Sequence, residues 1–446
     1  MIPFLFRVKE GRKGKAGDEK MTEIREIRPL ERVNAELQVP GSKSYTQRAL
    51  VIASLADGKS ILRNTLVAED TTHLVEALRL LGAQIVTSGQ DLIVTGTGGR
   101  IVNPGRELFL GNNGTAMRFL VSIAALGSGD ITLTGDPRLC ERPLQPLLEA
   151  IGSLGVSSTC RLTGGYPPVT VHGGTLRGGR VLFQDIESSQ YVSSILIAAP
   201  YAAGDVEVEI RGSAVSRPYV EMTQAVMKSF GVPVEKHDES CFSITSGHRY
   251  RGCRYLVEGD LSSASYFFLA AALCGGTVRV TNTNFWTHQG DVRFLRYLKE
   301  LGCGVAATDR WIEVSGGKLI AGDFTASMED LPDMVPTLAV LAALRPGRTI
   351  IRNVAHLRIK ESNRLEALVT ELAKTGIRAE ETGDGLVITG GTPRGAEIST
   401  YNDHRIAMSF AVLGLCVPGM RIRNPDCVGK SFPGFWEELG KLYQTS

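Results

Sequence analysis

Apolar positions along the chain follow two alternating periodicities, and the alternation recurs six times. At intervals of about 72 residues a glycine closes an Ala-rich helical pattern and opens a strand with alternating apolar residues. The glycines are Gly58, Gly129, Gly204, Gly276, Gly347 and Gly419. The strands they open read KSILRNTL, DITLTGD, DVEVEIRGS, TVRVTNT, RTIIRNVA and MRIRNPD. A second helix follows in each unit, with leucines at helical spacing, a terminal glycine and then a strand pair, as in LVEALRLLGAQIVTSGQDLIVTG. Five copies are full, and a truncated sixth, FPGFWEELGKLY (432–443), closes the chain. The unit is therefore strand, helix, strand, helix, strand, strand.

The Ala-rich helices, such as TAMRFLVSIAAL and SASYFFLAAAL, are apolar nearly all round and should be buried. The second helices carry charge on one face and should be exposed. Helices inside and strands outside follow, with three units to a domain. The truncated last unit lacks strands, and the N-terminal strand (residues 24–39) can supply them. One domain would then span 41–258, and the other 21–40 plus 259–446, with crossovers near 40–42 and 258–260.

Polar residues stand in front of each Ala-rich helix: SerLysSer (42–44), AsnAsnGlyThr (112–115), SerSerGln (188–190), SerSer (262–263), Asp333 and AsnAspHisArg (402–405). Such residues cap helix N-termini, where unpaired N–H groups and the helix dipole favour negative charge. Six such ends from equivalent positions can converge on one anionic ligand. Basic residues cluster beside them: Lys43, Arg48, Arg118, Arg142, Arg217, Lys360, Arg364, Arg405 and Lys430.

Composition narrows the classes. At 446 residues two domains are the default, and a net charge of +2 gives no bias toward nucleic acid or a membrane surface. Eight scattered cysteines without a C-x-x-C pair read as free, mostly buried thiols in a reducing cytoplasm. Zinc-ligand spacing is absent, and the apolar runs are far short of the roughly 20 residues of a membrane span. Residues 1–20, basic and glycine-rich after MIPFLF, lack signal-peptide features and read as a disordered extension.

Taken singly, the motifs have plainer readings. GlyAsnAsnGly is a turn before a helix, and SerSerGln is an N-cap. GlyLysSer (429–431) fails as a phosphate loop because its first glycine would fall at Asn424. Cys140 reads as a spectator thiol. Jointly they are specific: ProGlySerLysSerTyrThrGlnArg (40–48), LeuGlyAsnAsnGlyThrAlaMetArg (110–118), GluArgPro (141–143), SerSerGlnTyr (188–191), SerArgProTyr (216–219), LeuArgIleLysGluSerAsnArg (357–364), AsnAspHisArgIleAlaMet (402–408) and LysSerPhePro (430–433). In this order and phase the chain after residue 20 closely resembles the 5-enolpyruvylshikimate-3-phosphate synthase family of enolpyruvyl transferases.

The resemblance implies a two-domain inside-out α/β barrel with the active site between the domains. It implies that the 5-hydroxyl of shikimate 3-phosphate adds to C2 of phosphoenolpyruvate, and that phosphate then leaves, without metal or organic cofactor. Carried over, the shikimate 3-phosphate site comprises Lys43, Ser44, Arg48, Ser188, Ser189, Gln190, Ser216, Tyr219, Asp333 and Lys360. The phosphoenolpyruvate site comprises Lys43, Asn112, Gly114, Arg142, Gln190, Arg364, Arg405 and Lys430. Lys43, Asp333 and Glu361 are the catalytic candidates, with the order of their proton transfers open. His356 stands where many relatives have asparagine, and Phe119 where some have proline. The competing reading is the sister transferase acting on UDP-N-acetylglucosamine, although Ser188–Ser189–Gln190 with Lys43 and Arg48 suits a small sugar-acid phosphate better. A nucleic-acid-binding repeat scaffold is disfavoured because no aromatic residues interleave with the basic ones. A cytoplasmic monomer is expected.

Overall fold

The architecture is that of a computed structural model, which describes residues 23–212 and 216–444. The expectation of disorder for residues 1–20 lies outside the described residues. Six Ala-rich helices take the interior: α1 (Lys43–Leu55), α2 (Gly114–Ala124), α3 (Ser189–Ala198), α4 (Leu261–Cys274), α5 (Val335–Leu344) and α6 (His404–Gly414). In α5 and α6 nearly every residue is buried, as helices without a polar face require. The second helices, such as Glu69–Leu80 and Arg364–Lys374, keep one face in water. The glycines ending the five full copies, Gly82, Gly155, Gly231, Gly302 and Gly376, all take positive φ, the conformation that terminates a helix and that side chains resist.

Six small sheets wrap these helices. In the second unit Leu108–Phe109 runs parallel to Gly129–Thr134, which pairs antiparallel with Tyr166–Gly173, and this in turn with Ser158–Leu162. The same order repeats in each full unit. Three sheets draw strands from distant sequence. Arg254–Leu256 lies parallel to Lys59–Arg63 and closes the first three units on themselves. The N-terminal segment serves two sheets rather than the single one expected: Ile24–Glu26 pairs antiparallel with Arg421–Arg423, and Val33–Leu37 runs parallel to Gly276–Val280. The latter fit needs glycine, because a Cβ on Gly276 would lie 1.9 Å from the carbonyl oxygen of Val33.

The buried apolar residues form two clusters. One runs from Tyr45 to Val257, and the other joins Ile27–Val39 to residues 261–442. The helix starts differ from expectation in three units, beginning with α1, where Ser42 stands at the cap position without a side-chain bond to the helix. Asp260, not Ser262 or Ser263, caps α4, accepting from the Ser263 amide at 3.0 Å. Asp333 caps nothing and sits in a 3-10 turn, Pro332–Met334, leading into α5. The thiols are also less buried than expected: Cys303 and Cys427 are buried, and the other six are half-buried. No helix among the described residues is long and apolar enough to cross a membrane. No cluster among them could hold a metal ion.

Candidate active site

The N-termini of the interior helices from both halves meet in one cleft. Lys43, Ser44, Gly114, Arg142, Ser188, Ser189, Gln190, Ser216, Tyr219, Asp333, Lys360 and Glu361 all line it, together with Asp70, Asn113, Thr115 and Glu187. The cleft is closed in this structure. Arg138 donates to the carbonyls of Lys360 (3.1 Å) and Arg358 (3.0 Å), and Ser216 Oγ donates to the carbonyl of Glu329 (2.7 Å). Lys430 reaches across to the carbonyl of Asn112 at 3.0 Å.

On the far wall Arg364 organises three carboxylates. Its guanidinium donates to Asp403 Oδ2 (2.8 Å), Asp333 Oδ1 (3.0 Å) and Glu361 Oε2 (2.9 Å). Asp403 also accepts from the Arg405 amide, so the cap of α6 fixes Arg364 as well. Arg405 closes the network, donating to Asp333 Oδ2 at 2.7 Å. Burial alone would push the Asp333 carboxyl up, but Arg405, Arg364 and Lys360 outweigh it and bring its pKa to about 2. Burial also opposes ionisation of Glu361, yet Arg364, Arg142 and Lys43 hold it well below the usual carboxylate range. Both are anions at neutral pH.

Lys43 opens α1 and faces Asp70 at 3.0 Å and Glu361 at 4.0 Å. Burial disfavours its charge, but Asp70 and then Glu361 raise its pKa above the ordinary lysine value. Lys430 lies 3.3 Å from the other oxygen of Asp70. Lys360 differs: its ammonium hydrogen-bonds to none of the described residues. Burial lowers its pKa to about 8, with Arg142 adding repulsion against the pull of Asp333. The buried His356 imidazole is pushed down to about 3, by burial and then by Lys360, and stays neutral.

Arg142 carries the strongest demand for a ligand. It is 5 % exposed, and its Nε and Nη1 have no hydrogen-bond partner among the described residues. Burial and neighbouring Arg118 lower its pKa to about 10, so it remains charged. An unpaired buried cation is costly, and an incoming anion removes that cost. Gly114 makes the space: a Cβ there would lie 2.5 Å from the Arg142 guanidinium carbon. Gln190 is held between Arg118 (2.8 Å) and Thr115 (2.9 Å).

Five carried-over residues do not line the main cleft: Arg48, Asn112, Arg364, Arg405 and Lys430, the last of which pairs with Asp70 and the Asn112 carbonyl. Arg405 lines an adjoining recess with Ser44, Tyr219, Asp260 and Asp291. Arg364 lies behind the carboxylates, and Asn112 behind Lys430. Arg48, on α1 itself, spends its donors on Thr223 Oγ1 and the carbonyls of Ser44 and Tyr219.

A family model described as EPSP synthase (3-phosphoshikimate 1-carboxyvinyltransferase) matches residues 27–439. The chain belongs to the EPSP synthase family. A 3-phosphoshikimate 1-carboxyvinyltransferase of Syntrophobacter fumaroxidans is 44 % identical over 419 residues, covering 93 % of this chain and 99 % of the relative. One from a Shewanella species is 41 % identical over 421 residues, covering 93 % of this chain and 98 % of that one. The solved structure of EPSP synthase from Acinetobacter baumannii superimposes with a TM-score of 0.77 at 27 % identity, covering 93 % of this chain and 97 % of that chain. The two-domain inside-out α/β fold of EPSP synthases is the fold described above.

Sequence reasoning overlooked Asp70, which lines the cleft, and Asp291, which lines the adjoining recess. Asp70 lies in the first turn of the first unit's second helix and Asp291 precedes that of the fourth, while Arg142, Glu361 and Lys430 precede those of the second, fifth and sixth. The signal lay in treating both helix starts of each unit as ligand-facing, rather than only the first.

Proposed function

We infer that the closed cleft is where this member of the EPSP synthase family transfers the enolpyruvyl group of phosphoenolpyruvate to the 5-hydroxyl of shikimate 3-phosphate. The observation that carries the assignment is Arg142, buried, charged and unpaired at the N-terminus of α2. The two substrates bring two phosphates and two carboxylates, and the cationic wall offers matching partners: forks from Arg142 and Arg405, point charges from Lys43, Lys360 and Lys430. Ser44, Ser188, Ser189, Gln190, Ser216 and Tyr219 would hold shikimate 3-phosphate, with Arg48 fixing the backbone of Ser44 and Tyr219 from behind. Asn112, Gly114, Arg142, Arg364, Arg405 and Lys430 would hold phosphoenolpyruvate, with Lys43 and Gln190 between.

The addition forms a bond between the 5-oxygen and C2 and delivers a proton to C3, giving a tetrahedral adduct. Elimination removes a proton from C3, expels phosphate and restores the C2–C3 double bond. Asp333, an anion, is suited to orient the 5-hydroxyl and take its proton. Glu361 is held ionised by Arg364, Arg142 and Lys43 while no anion occupies them. Phosphoenolpyruvate would neutralise these cations, raise the Glu361 pKa and make it competent to carry the C3 proton in both directions. This wiring turns on the acid only when substrate is present. A monomer in the cytoplasm completes the reading, and half-buried free thiols fit that compartment.

Phosphate release tests the reading. Activity with phosphoenolpyruvate should require shikimate 3-phosphate, and UDP-N-acetylglucosamine should not substitute. Turnover with the nucleotide sugar alone would assign the chain to the sister transferase.

A further inference from the structure

Cys274 and Cys416 place their sulfurs 2.9 Å apart, although 142 positions separate them in the chain. Cys274 is the last residue of α4, and Cys416 lies two residues beyond α6. These two helices pack along one another, and their opposite, N-terminal ends hold Asp260 and Arg405 at the recess adjoining the cleft. Both thiols are half-buried, within reach of a small oxidant, while packed against the core of the second half.

We propose that Cys274 and Cys416 form a reversible disulfide that staples the fourth unit to the sixth. Two thiols held closer than van der Waals contact at neighbouring helix ends need only a small side-chain rotation to bond. Either sulfur can donate to the other; when Cys416 donates, the thiolate is favoured at Cys274, which then attacks. With a low-molecular-weight disulfide such as oxidised glutathione, the Cys274 thiolate attacks one sulfur and releases one glutathione thiol. Cys416 then gives up its proton and attacks Cys274 Sγ, releasing the second. The protein dithiol is oxidised by two electrons and the glutathione disulfide is reduced by two, so the exchange balances. The staple lies at the helix ends away from the cleft, so it should brace the fold and leave turnover unchanged. Closing so long a loop constrains the unfolded chain strongly.

The test equilibrates the full-length protein with glutathione buffers of increasing oxidation, then alkylates, digests and maps its peptides. A linked peptide pair containing Cys274 and Cys416 is expected, appearing in oxidised buffer and lost on reduction. The oxidised protein should melt higher by roughly 5–10 °C. Cys416→Ser should keep its activity and show no redox-dependent shift. Separate alkylation of both thiols, or separate glutathione adducts on them, overturns the disulfide. A linked pair without a rise in melting temperature overturns the bracing. A redox shift that persists in Cys416→Ser assigns it to other cysteines and overturns the assignment.

Discussion

Arg405 donates to Asp333 at 2.7 Å, and the two residues stand 72 positions apart. The same separation joins Arg118 to Gln190, Ser122 to Ser194 and Ser265 to Thr337. The repeat period is thus also a contact rule. Equivalent positions on neighbouring interior helices touch, and at the helix starts that contact becomes cleft chemistry. Asp333 supplies a measurable consequence. Its folded pKa of about 2 lies below the ordinary value near 3.8, so its contribution is complete above about pH 4 and vanishes as pH falls through 2. Urea unfolding of wild type and Asp333→Asn should differ by about 2 kcal/mol near pH 5 and converge by pH 2. A constant difference across that range would show that the pairing with Arg405 and Arg364 does not stabilise the fold.

Glu361→Gln should lower turnover by about 10²–10⁴-fold, the usual worth of an acid–base group. It should also suppress deuterium uptake from solvent at C3 of phosphoenolpyruvate, followed by NMR. Normal exchange in this variant would move the proton-transfer role to Lys43.

Lys360 should impose an alkaline limit on binding. Its pKa is lowered to about 8, so its positive charge, and its attraction for an anionic substrate, is present below that pH and lost above it. KM for an anionic substrate should rise between pH 8 and 9 in wild type. Lys360→Arg, charged throughout, should flatten that rise, and an identical rise in the variant would remove Lys360 from the binding wall.

Asp70→Asn removes the carboxylate that Lys43 and Lys430 share. Truncating one member of a buried charge network costs on the order of 2–5 kcal/mol. The variant should keep its circular dichroism spectrum and lose kcat/KM by at least about 30-fold. Near-normal efficiency would show that the two lysines are placed without it.

Gly114→Ala should act on phosphoenolpyruvate rather than on shikimate 3-phosphate. The new methyl must displace the Arg142 guanidinium, and overpacking of this kind costs about 1–3 kcal/mol. KM for phosphoenolpyruvate should rise about tenfold, with KM for the acceptor changed less. Equal effects on both would place Arg142 outside the phosphoenolpyruvate contacts.

The architecture was legible because it is written in period and punctuation. Apolar residues on all faces of α5 and α6 leave no option but burial, and a glycine with positive φ after each second helix marks its end. The cleft was legible only where chemistry is local to a motif. Asp70 escaped because an acidic residue in a first helical turn reads as a partner for the helix dipole, whereas its burial depends on Lys430 from the far end of the chain. Arg48 illustrates the converse. A motif cannot tell a guanidinium facing the ligand from one a layer behind, and the hydrogen bonds to Ser44 and Tyr219 put it behind.

The pairing of Ile24–Glu26 with Arg421–Arg423 sets a timetable for synthesis. Residues 41–257 find all their sheet partners among themselves, so that part can fold while the ribosome is still at work. The segment made before it cannot. Val33–Leu37 must wait for Gly276–Val280, and Ile24–Glu26 for Arg421–Arg423. Strands made before the first three units are thus paired after them, and until then they keep an open edge, ready for a wrong partner.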